Sequence, residues 1–230
     1  MSTTKYDIAN IALRTLLFKQ AISDFTSTPQ GIIMGDVYEH VKVAELRKHS
    51  WNFAIKKTTL TNNDWVTLTS YAVGDIVEYD DTLYKCLTAH TSGTFATDLA
   101  ASKWEEAPAF TEYAYIHKLP LDFLRALQVD EDVEAQYEIN STHIESDYET
   151  LKLKYIYEAA EDNFSEEFIL VLALALAKEV CYAITNDHTR QKELEYQYYQ
   201  KQIEAINIDS MQNPLRKIDN TQSSWITSRL

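Results

Sequence analysis

The fold is decided by the longest apolar run in the sequence, FILVLALALA at residues 168–177. As a helix, this run would extend only about 15 Å, roughly half the thickness of a bilayer's hydrocarbon layer. Asn163 or Ser165 could cap the helix, and the two glutamates after Ser165 suit the positive end of its dipole. The pattern is apolar on nearly all sides as far as Ile184, which predicts a central core helix and not a membrane span.

Other helices are predicted on both sides of this core. Apolar residues recur at helical spacing in three segments, at residues 4–20, at about 32–48 and at about 189–207. After the second of these helices the period changes, because Trp51, Phe53 and Ile55 alternate with their neighbours. That alternation predicts a strand that leaves the helical layer.

A β layer is predicted between the helical segments. An extended run at 113–120 ends at a proline and is followed by a predicted short helical turn at 121–127. Apolar and polar residues alternate again at 129–144 and at 151–157. Together these elements predict an α+β fold, with a helical bundle core, a small β layer and one inserted β module.

The inserted module is indicated by a change of composition at about residues 62–108. This segment holds two of the four glycines and two of the four tryptophans, in short alternating stretches separated by turn residues, which predicts a small antiparallel β module. A segment of about 45 residues is close to the lower limit for folding alone. We therefore predict that residues 62–108 are an insertion in a scaffold made of residues 1–61 and 109–207. Residues 208–230 are predicted to be an extended C-terminal docking tail.

The sequence offers little that supports catalysis. Its four glycines form neither a phosphate-binding loop nor a dinucleotide turn, and its six histidines are scattered outside metal-ligand spacing. Cys86 and Cys181 lie far apart, which favours two buried thiols in a reducing compartment. We therefore expect no enzyme activity, no catalytic residue, no cofactor and no metal site.

The chain is strongly acidic, with a formal net charge of -14. This balance argues against a protein that grips nucleic acid by neutralising phosphates. Two interpretations remain open. The charge serves solubility alone, or it forms a negative surface that a polyanion can pass without adhering.

Four segments of the predicted scaffold occur in an order that can be compared with known protein families. They are the first helix pair leading into Trp51-Asn52-Phe53-Ala54, the segment Leu119-Pro120-Leu121-Asp122-Phe123-Leu124-Arg125, the strand at 151–157 with Phe164 and the core helix, and the long last helix with its polar tail. This order resembles the head-to-tail adaptor (connector) family of tailed phages, in particular the tail tubular protein A type of short-tailed phages. The resemblance covers most of residues 4–230 outside the insertion.

The adaptor resemblance implies a structural virion protein of the tail or neck, assembled in the host cytoplasm. Its subunits would form a homo-oligomeric ring, usually dodecameric, between the portal protein and the downstream tail (nozzle) protein. DNA would pass through without specific binding, and no membrane contact is implied. Since the C-terminal segment often attaches such rings to the portal, we expect Trp225, Ile226, Arg229 and Leu230 to be docking residues. The alternative is that Trp225 folds back on its own subunit.

The insertion has a resemblance of its own. It contains, in order, Trp65, Tyr71, Gly74-Asp75, Val77, Tyr79, Tyr84 and Trp104, and it resembles the small chitin-binding modules of the carbohydrate-binding family often numbered five and twelve. The resemblance implies stacking of aromatic faces on sugar rings, for which we predict Tyr71 and Tyr84. His90 stands near the place where such modules tend to show an exposed tryptophan. The alternative to sugar binding is that Trp65 and Trp104 lie in the core and that the module serves as ring decoration or as a contact to neighbouring proteins. The functional hypotheses are thus an adaptor subunit, a glycan- or surface-binding protein acting through the insertion, and an enzyme.

Overall fold

The structure is a computed structural model that describes residues 3–80, 82–107, 113–130, 136–140 and 142–212. The chain divides into two compact units. The helical unit comprises Met1–Phe53 and Ala159–Leu230, and the β unit comprises Ala54–Glu158. Helices together with several small antiparallel sheets confirm the predicted α+β fold class.

The described residues form two helices, then a run of strands interrupted by one short helix, and then two more helices. In order they are α1 (Lys5–Thr15), α2 (Pro29–Lys48), β1 (Ile55–Thr61), β2 (Ser70–Tyr71), β3 (Ile76–Tyr79), β4 (Thr82–Cys86), β5 (His90–Thr91), α3 (Phe95–Ala100), β6 (Trp104–Glu106), β7 (Tyr115–Lys118), β8 (Phe123–Val129), β9 (Tyr137–Ile139), β10 (His143–Ser146), β11 (Thr150–Tyr157), α4 (Glu166–Thr185) and α5 (His188–Met211). Single 3-10 turns lie before β1 and before α4.

Helix α4 is the core of the helical unit, as predicted. It packs against α1, α2 and α5, and its Val171, Leu172 and Leu176 are fully buried. Of the two predicted caps, Ser165 begins the helix, and its hydroxyl accepts a hydrogen bond from the Phe168 N–H at 3.3 Å. By length and composition alone α4 could cross a membrane, but its most apolar window is 56% buried inside the protein, which is how a core helix packs.

Threonine caps begin the first two helices. Thr4 forms a capping box with Asp7 at the start of α1, and Thr28 accepts a hydrogen bond from the Gly31 N–H at the start of α2. Helix α1 ends before the predicted boundary at residue 20. The reason is that Leu17 has a φ of 65°, a left-handed conformation that a right-handed helix cannot continue through.

The strand predicted from Trp51 onwards is present as β1, but it begins only at Ile55, because Asn52–Ala54 forms a 3-10 turn. The Asn52 N–H donates to the carboxylate of Asp209, near the end of α5, at 3.1 Å, so this group cannot join a strand ladder. Trp51 is fully buried, and its ring lies edge-on 5.1 Å from the ring of Phe168 in α4. The alternation of Trp51 and Phe53 therefore reflects packing of both rings on Phe168 of the core helix.

The β unit contains two three-stranded antiparallel sheets, with strand orders β1-β11-β8 and β7-β10-β9. The helical turn predicted at 121–127 is wrong, because most of that segment belongs to β8, which pairs with β11. Its apolar positions fit either a helix or a strand, and the long-range pairing decides in favour of the strand. The two sheets contribute to one hydrophobic core made of Leu60, Leu119, Val129, Ile144, Leu151, Leu153 and Tyr155.

The insertion forms the predicted small antiparallel β module within the β unit. It consists of the sheet β3-β4-β6, the strand pair β2-β5 and the short helix α3, which packs next to β6. A separate hydrophobic cluster fills it, composed of Tyr71, Val77, Cys86, Phe95 and Trp104. The predicted last residue of the insertion, Pro108, lies outside the described residues.

Candidate functional site on the inserted module

The candidate site is built on the hairpin of β3 and β4. In its register Val77 pairs with Tyr84, and Tyr79 pairs with Thr82. Because side chains alternate along a strand, Val77, Tyr79 and Tyr84 share one side of the hairpin. Helix α3 places Phe95 against this side, with its ring 4.7 Å from that of Tyr84.

Tyr79 has one aromatic face covered and is still exposed to solvent. Its ring stacks on Phe95, with centroids 3.9 Å apart and an interplanar angle of 13°. Trp65 lies perpendicular to both rings, with its centroid 5.5 Å from each. Tyr79 keeps 40% of its surface exposed, whereas Phe95 keeps 5%. An aromatic ring held in this way is suited to stacking on the apolar face of a sugar.

The structure contradicts the stacking role predicted for Tyr71. This residue is 7% exposed, and its ring lies edge-on 5.1 Å from that of Trp104. Its hydroxyl accepts a hydrogen bond from the Val66 N–H at 2.7 Å and contacts the Val66 carbonyl at 3.2 Å. Burial is the main cause that raises the pKa of the Tyr71 hydroxyl. Both the ring and the hydroxyl are therefore used inside the module.

Tyr84 is half-buried and packs edge-on against Phe95. It lies on the same side of the hairpin as Tyr79, so its sugar-stacking role stays a prediction. The sequence analysis placed Tyr79 in the family pattern but gave it no binding role. A binding role for Tyr79 could have been predicted from its position at the end of β3, directly before the turn at Asp80. A strand side chain has fewer neighbours at such a position.

The two tryptophans of the insertion lie in or against its core, as expected. Trp104 is 3% exposed, and Trp65 is partly buried against the cluster. His90 presents no exposed ring, because its side chain is 8% exposed. Its Nδ1 lies 2.7 Å from the Thr88 carbonyl oxygen, and its Nε2 lies 3.5 Å from the Asp98 carboxylate. His90, which stands where related modules tend to show an exposed tryptophan, therefore makes buried polar contacts in this chain.

A buried carboxylate fixes the helix that carries Phe95. Asp98 is 3% exposed and accepts hydrogen bonds from Lys103 Nζ and from the Gly93 N–H, both at 2.8 Å. The hydrogen bond from Lys103 is the largest of the causes that hold the pKa of the Asp98 carboxyl below its ordinary value, and the Gly93 N–H acts in the same direction. The network therefore positions the ring on which Tyr79 stacks.

Tyr79, Tyr84, Phe95 and Trp65 together form an aromatic face of the module, and its chemistry is suited to binding. Among the described residues, no group of three His, Cys, Asp or Glu side chains is placed to hold a metal ion. Cys86 lies in the core of the module, and burial raises the pKa of its thiol, which disfavours the reactive thiolate. The exposed part of the Tyr79 ring is the group that a ligand would meet.

Residues 64–105 match the model of carbohydrate-binding module family 5/12. The match spans Trp65, Tyr79, Tyr84, Phe95 and Trp104, and it therefore includes the whole aromatic face. No curated protein matches the chain. The match concerns the inserted module, so the adaptor resemblance of the scaffold stays a prediction.

The predicted portal-docking residues, Trp225, Ile226, Arg229 and Leu230, lie outside the described residues. The predicted start of the tail at residue 208 is too early, because α5 continues to Met211. Asp209, in the last turn of α5, is 7% exposed, and its carboxylate lies 3.2 Å from His49 Nε2. Residues 208–211 therefore belong to the helical unit.

Proposed function

We propose that this chain is a structural subunit of a head-to-tail adaptor ring in a tailed-phage particle, and that it carries a carbohydrate-binding module as an insertion. The observation that carries the proposal is how the helical unit is built. Segments from both ends of the chain share one core around α4, closed by the contact between Trp51 and Phe168. This order of helix pair, aromatic junction, core helix and long last helix agrees with the adaptor resemblance.

The proposed partners follow from the same resemblance. The ring, which we propose to be a dodecamer, would bind the portal protein on one side and the downstream tail protein on the other, in the neck of the virion. A net charge of -14 supports a channel through which DNA passes without adhering. We assign no catalytic step to the chain, because its proposed role is assembly.

Assembly with a portal ring tests the adaptor proposal directly. The purified protein, alone and mixed with the portal protein of the same virus, is measured by light scattering and imaged by electron microscopy. We expect ring-shaped complexes stacked on the portal. If the portal ring keeps its mass and outline in the presence of excess protein, the proposal is wrong.

A second candidate function is glycan binding through the insertion, either on a host surface or on a neighbouring structure. It is favoured by the match of residues 64–105 to family 5/12 and by the exposed, stacked ring of Tyr79. Retention on chitin beads and on bacterial cell-wall glycan tests it, with cellulose and uncoated beads as controls. Retention that is equal on all supports would contradict glycan recognition.

A further inference from the structure

Three lysines of the β unit lack the partners that most other lysines have. Among the described residues, Lys57, Lys152 and Lys154 form no ion pair and no ring contact. Lysines that do pair with a carboxylate or an aromatic ring are Lys5, Lys42, Lys48, Lys56, Lys85, Lys103, Lys118, Lys178 and Lys201. The unpaired lysines are therefore a minority, and these three of them share one surface.

The three ammonium groups project from one face of the sheet β1-β11-β8. Lys57 is directly opposite Lys154 in the register of β1 and β11, and Lys152 is opposite Thr59. Because side chains alternate along strands, all three lie on the same face, with directly opposite Cβ atoms about 5 Å apart. Like charges placed directly opposite are destabilising, and a bound anion would remove that cost.

These lysines line a groove with a volume of about 280 Å³. Gln128 and Asp130 of the β8 side also line it, and the Gln128 side-chain N–H donates to the Asp130 carbonyl oxygen at 3.1 Å. The pairing of β8 with β11 shifts register between Lys154 and Tyr155, and such irregularities re-aim side chains next to binding sites. Among the described residues that line the groove, one carboxylate stands against three ammonium groups, so this lining is positive on an acidic protein.

We propose that this lysine groove binds an extended acidic polypeptide segment in which carboxylates occupy alternate positions. Lys152 and Lys154 are two residues apart on β11, a separation of roughly 7 Å along the strand. An extended segment with carboxylates at every second residue has the same repeat, so each carboxylate meets one ammonium group. The site does not depend on the adaptor proposal or on the aromatic face of the insertion.

Nucleic acid fits the groove less well than an acidic peptide. The groove is short and offers three cations, whereas proteins that hold DNA through its backbone commonly neutralise about six to ten phosphates. The chain as a whole carries a net charge of -14, which would also repel a long polyanion. A short carboxylate segment needs only the local field of the groove.

The test uses a fluorescently labelled synthetic peptide of alternating glutamate and threonine, and a labelled polythymidine oligonucleotide of similar length. We expect the full chain to bind the peptide, with an affinity that falls as salt is raised and that falls roughly tenfold in the double variant Lys152→Gln/Lys154→Gln. The double variant Lys19→Gln/Lys192→Gln changes the net charge equally at two other exposed lysines and should bind like the wild type.

Three results would overturn this proposal. They are absence of peptide binding by the wild type, equal loss in the two double variants, and preferential binding of the oligonucleotide that is lost in Lys152→Gln/Lys154→Gln. The last result would make the groove a nucleic-acid contact. Circular dichroism of each variant checks that the substitutions leave the fold intact.

Discussion

The ring of Tyr79 lies flat on the ring of Phe95, with centroids 3.9 Å apart. Phe95 is buried and belongs to α3, which Asp98 ties to Gly93 and Lys103. Tyr79 is therefore supported from inside the module although it is exposed. A side chain that is already held in place loses little conformational entropy when a ligand stacks on it, so this ring is the part of the module best prepared for binding.

We predict that Tyr79→Ala weakens binding to chitin oligosaccharides about tenfold, because the stacking surface is lost. Tyr79→Phe keeps the ring and should retain most of the affinity. Calorimetry or affinity electrophoresis measures both variants. Val73→Ala is a suitable control, since Val73 is another exposed apolar residue of the module, at 65%. Equal losses in Tyr79→Phe and Tyr79→Ala would show that the hydroxyl matters and not the ring face.

A second prediction concerns the stability of the module in acid. The pKa of Asp98 is lowered in the folded protein, chiefly by the hydrogen bond from Lys103. A carboxyl with a lowered pKa stabilises the fold above its unfolded pKa of about 3.9, and this contribution disappears as pH falls through the folded value. Asp98→Asn should therefore be less stable than the wild type at neutral pH, and the gap should narrow in acid.

Urea unfolding followed by tryptophan fluorescence, at neutral pH and at about pH 3, measures this gap. Glu106→Gln provides the matched control, because Glu106 is an exposed carboxylate of the same module. Its stability difference from the wild type should be small at both pH values. A gap for Asp98→Asn that stays constant with pH would refute the assignment of the effect to ionisation.

The sequence predicted structure and burial correctly where the residues of one segment determine them. It failed where contacts with distant segments determine them. The all-round apolar pattern of α4 leaves no polar face, so a core position follows from the residues themselves. The segment of β8 fits two periods, and only its pairing with β11 makes it a strand. Tyr71 and Tyr79 look alike in the sequence, yet Tyr71 packs on Trp104 while Tyr79 stacks on Phe95 at the surface. The sequence does not show that β6 places Trp104 against Tyr71 or that α3 places Phe95 beneath Tyr79.

A third prediction concerns a buried carboxylate of the helical unit. Glu45 is 2% exposed, lies within 3.1 Å of the Tyr198 hydroxyl through both carboxylate oxygens, and pairs with Lys48 at 2.6 Å. Tyr198→Phe removes one partner of this carboxylate and should lower the free energy of unfolding by about 1–3 kcal/mol. Tyr199→Phe, at the neighbouring position that is 51% exposed, should leave it nearly unchanged. Chemical denaturation of the two variants compares them, and similar effects would contradict the prediction.

The same tyrosine makes stability sensitive to alkaline pH. Burial, followed by the neighbouring Glu45, raises the pKa of Tyr198 to about 12. A raised pKa means that the contribution of Tyr198 is complete below the unfolded value of about 10 and is lost as pH rises through the folded value. The difference in stability between the wild type and Tyr198→Phe should therefore shrink above about pH 10. A difference that is unchanged at high pH would argue against this ionisation.

The last prediction separates the end of α5 from the segment that follows it. Asp209 accepts a hydrogen bond from the Asn52 N–H at 3.1 Å, and its own carbonyl oxygen accepts one from the Asn52 side chain at 2.6 Å. A chain that ends at Gln212 keeps these contacts and should unfold at the temperature of the full chain. A chain that ends at Ile208 loses these two hydrogen bonds of Asn52, and it should lose about 1–3 kcal/mol of stability. Differential scanning calorimetry compares the two truncations. Asp209→Ala in the full chain removes the carboxylate but keeps the main-chain carbonyl oxygen that Asn52 Nδ2 donates to, so it should lose less stability than the shorter chain.

Under the adaptor proposal, the chain ending at Gln212 should be stable yet unable to join a portal ring, because it lacks Trp225, Ile226, Arg229 and Leu230. If that chain still assembles on the portal, these four residues are not the docking site, whatever its melting temperature.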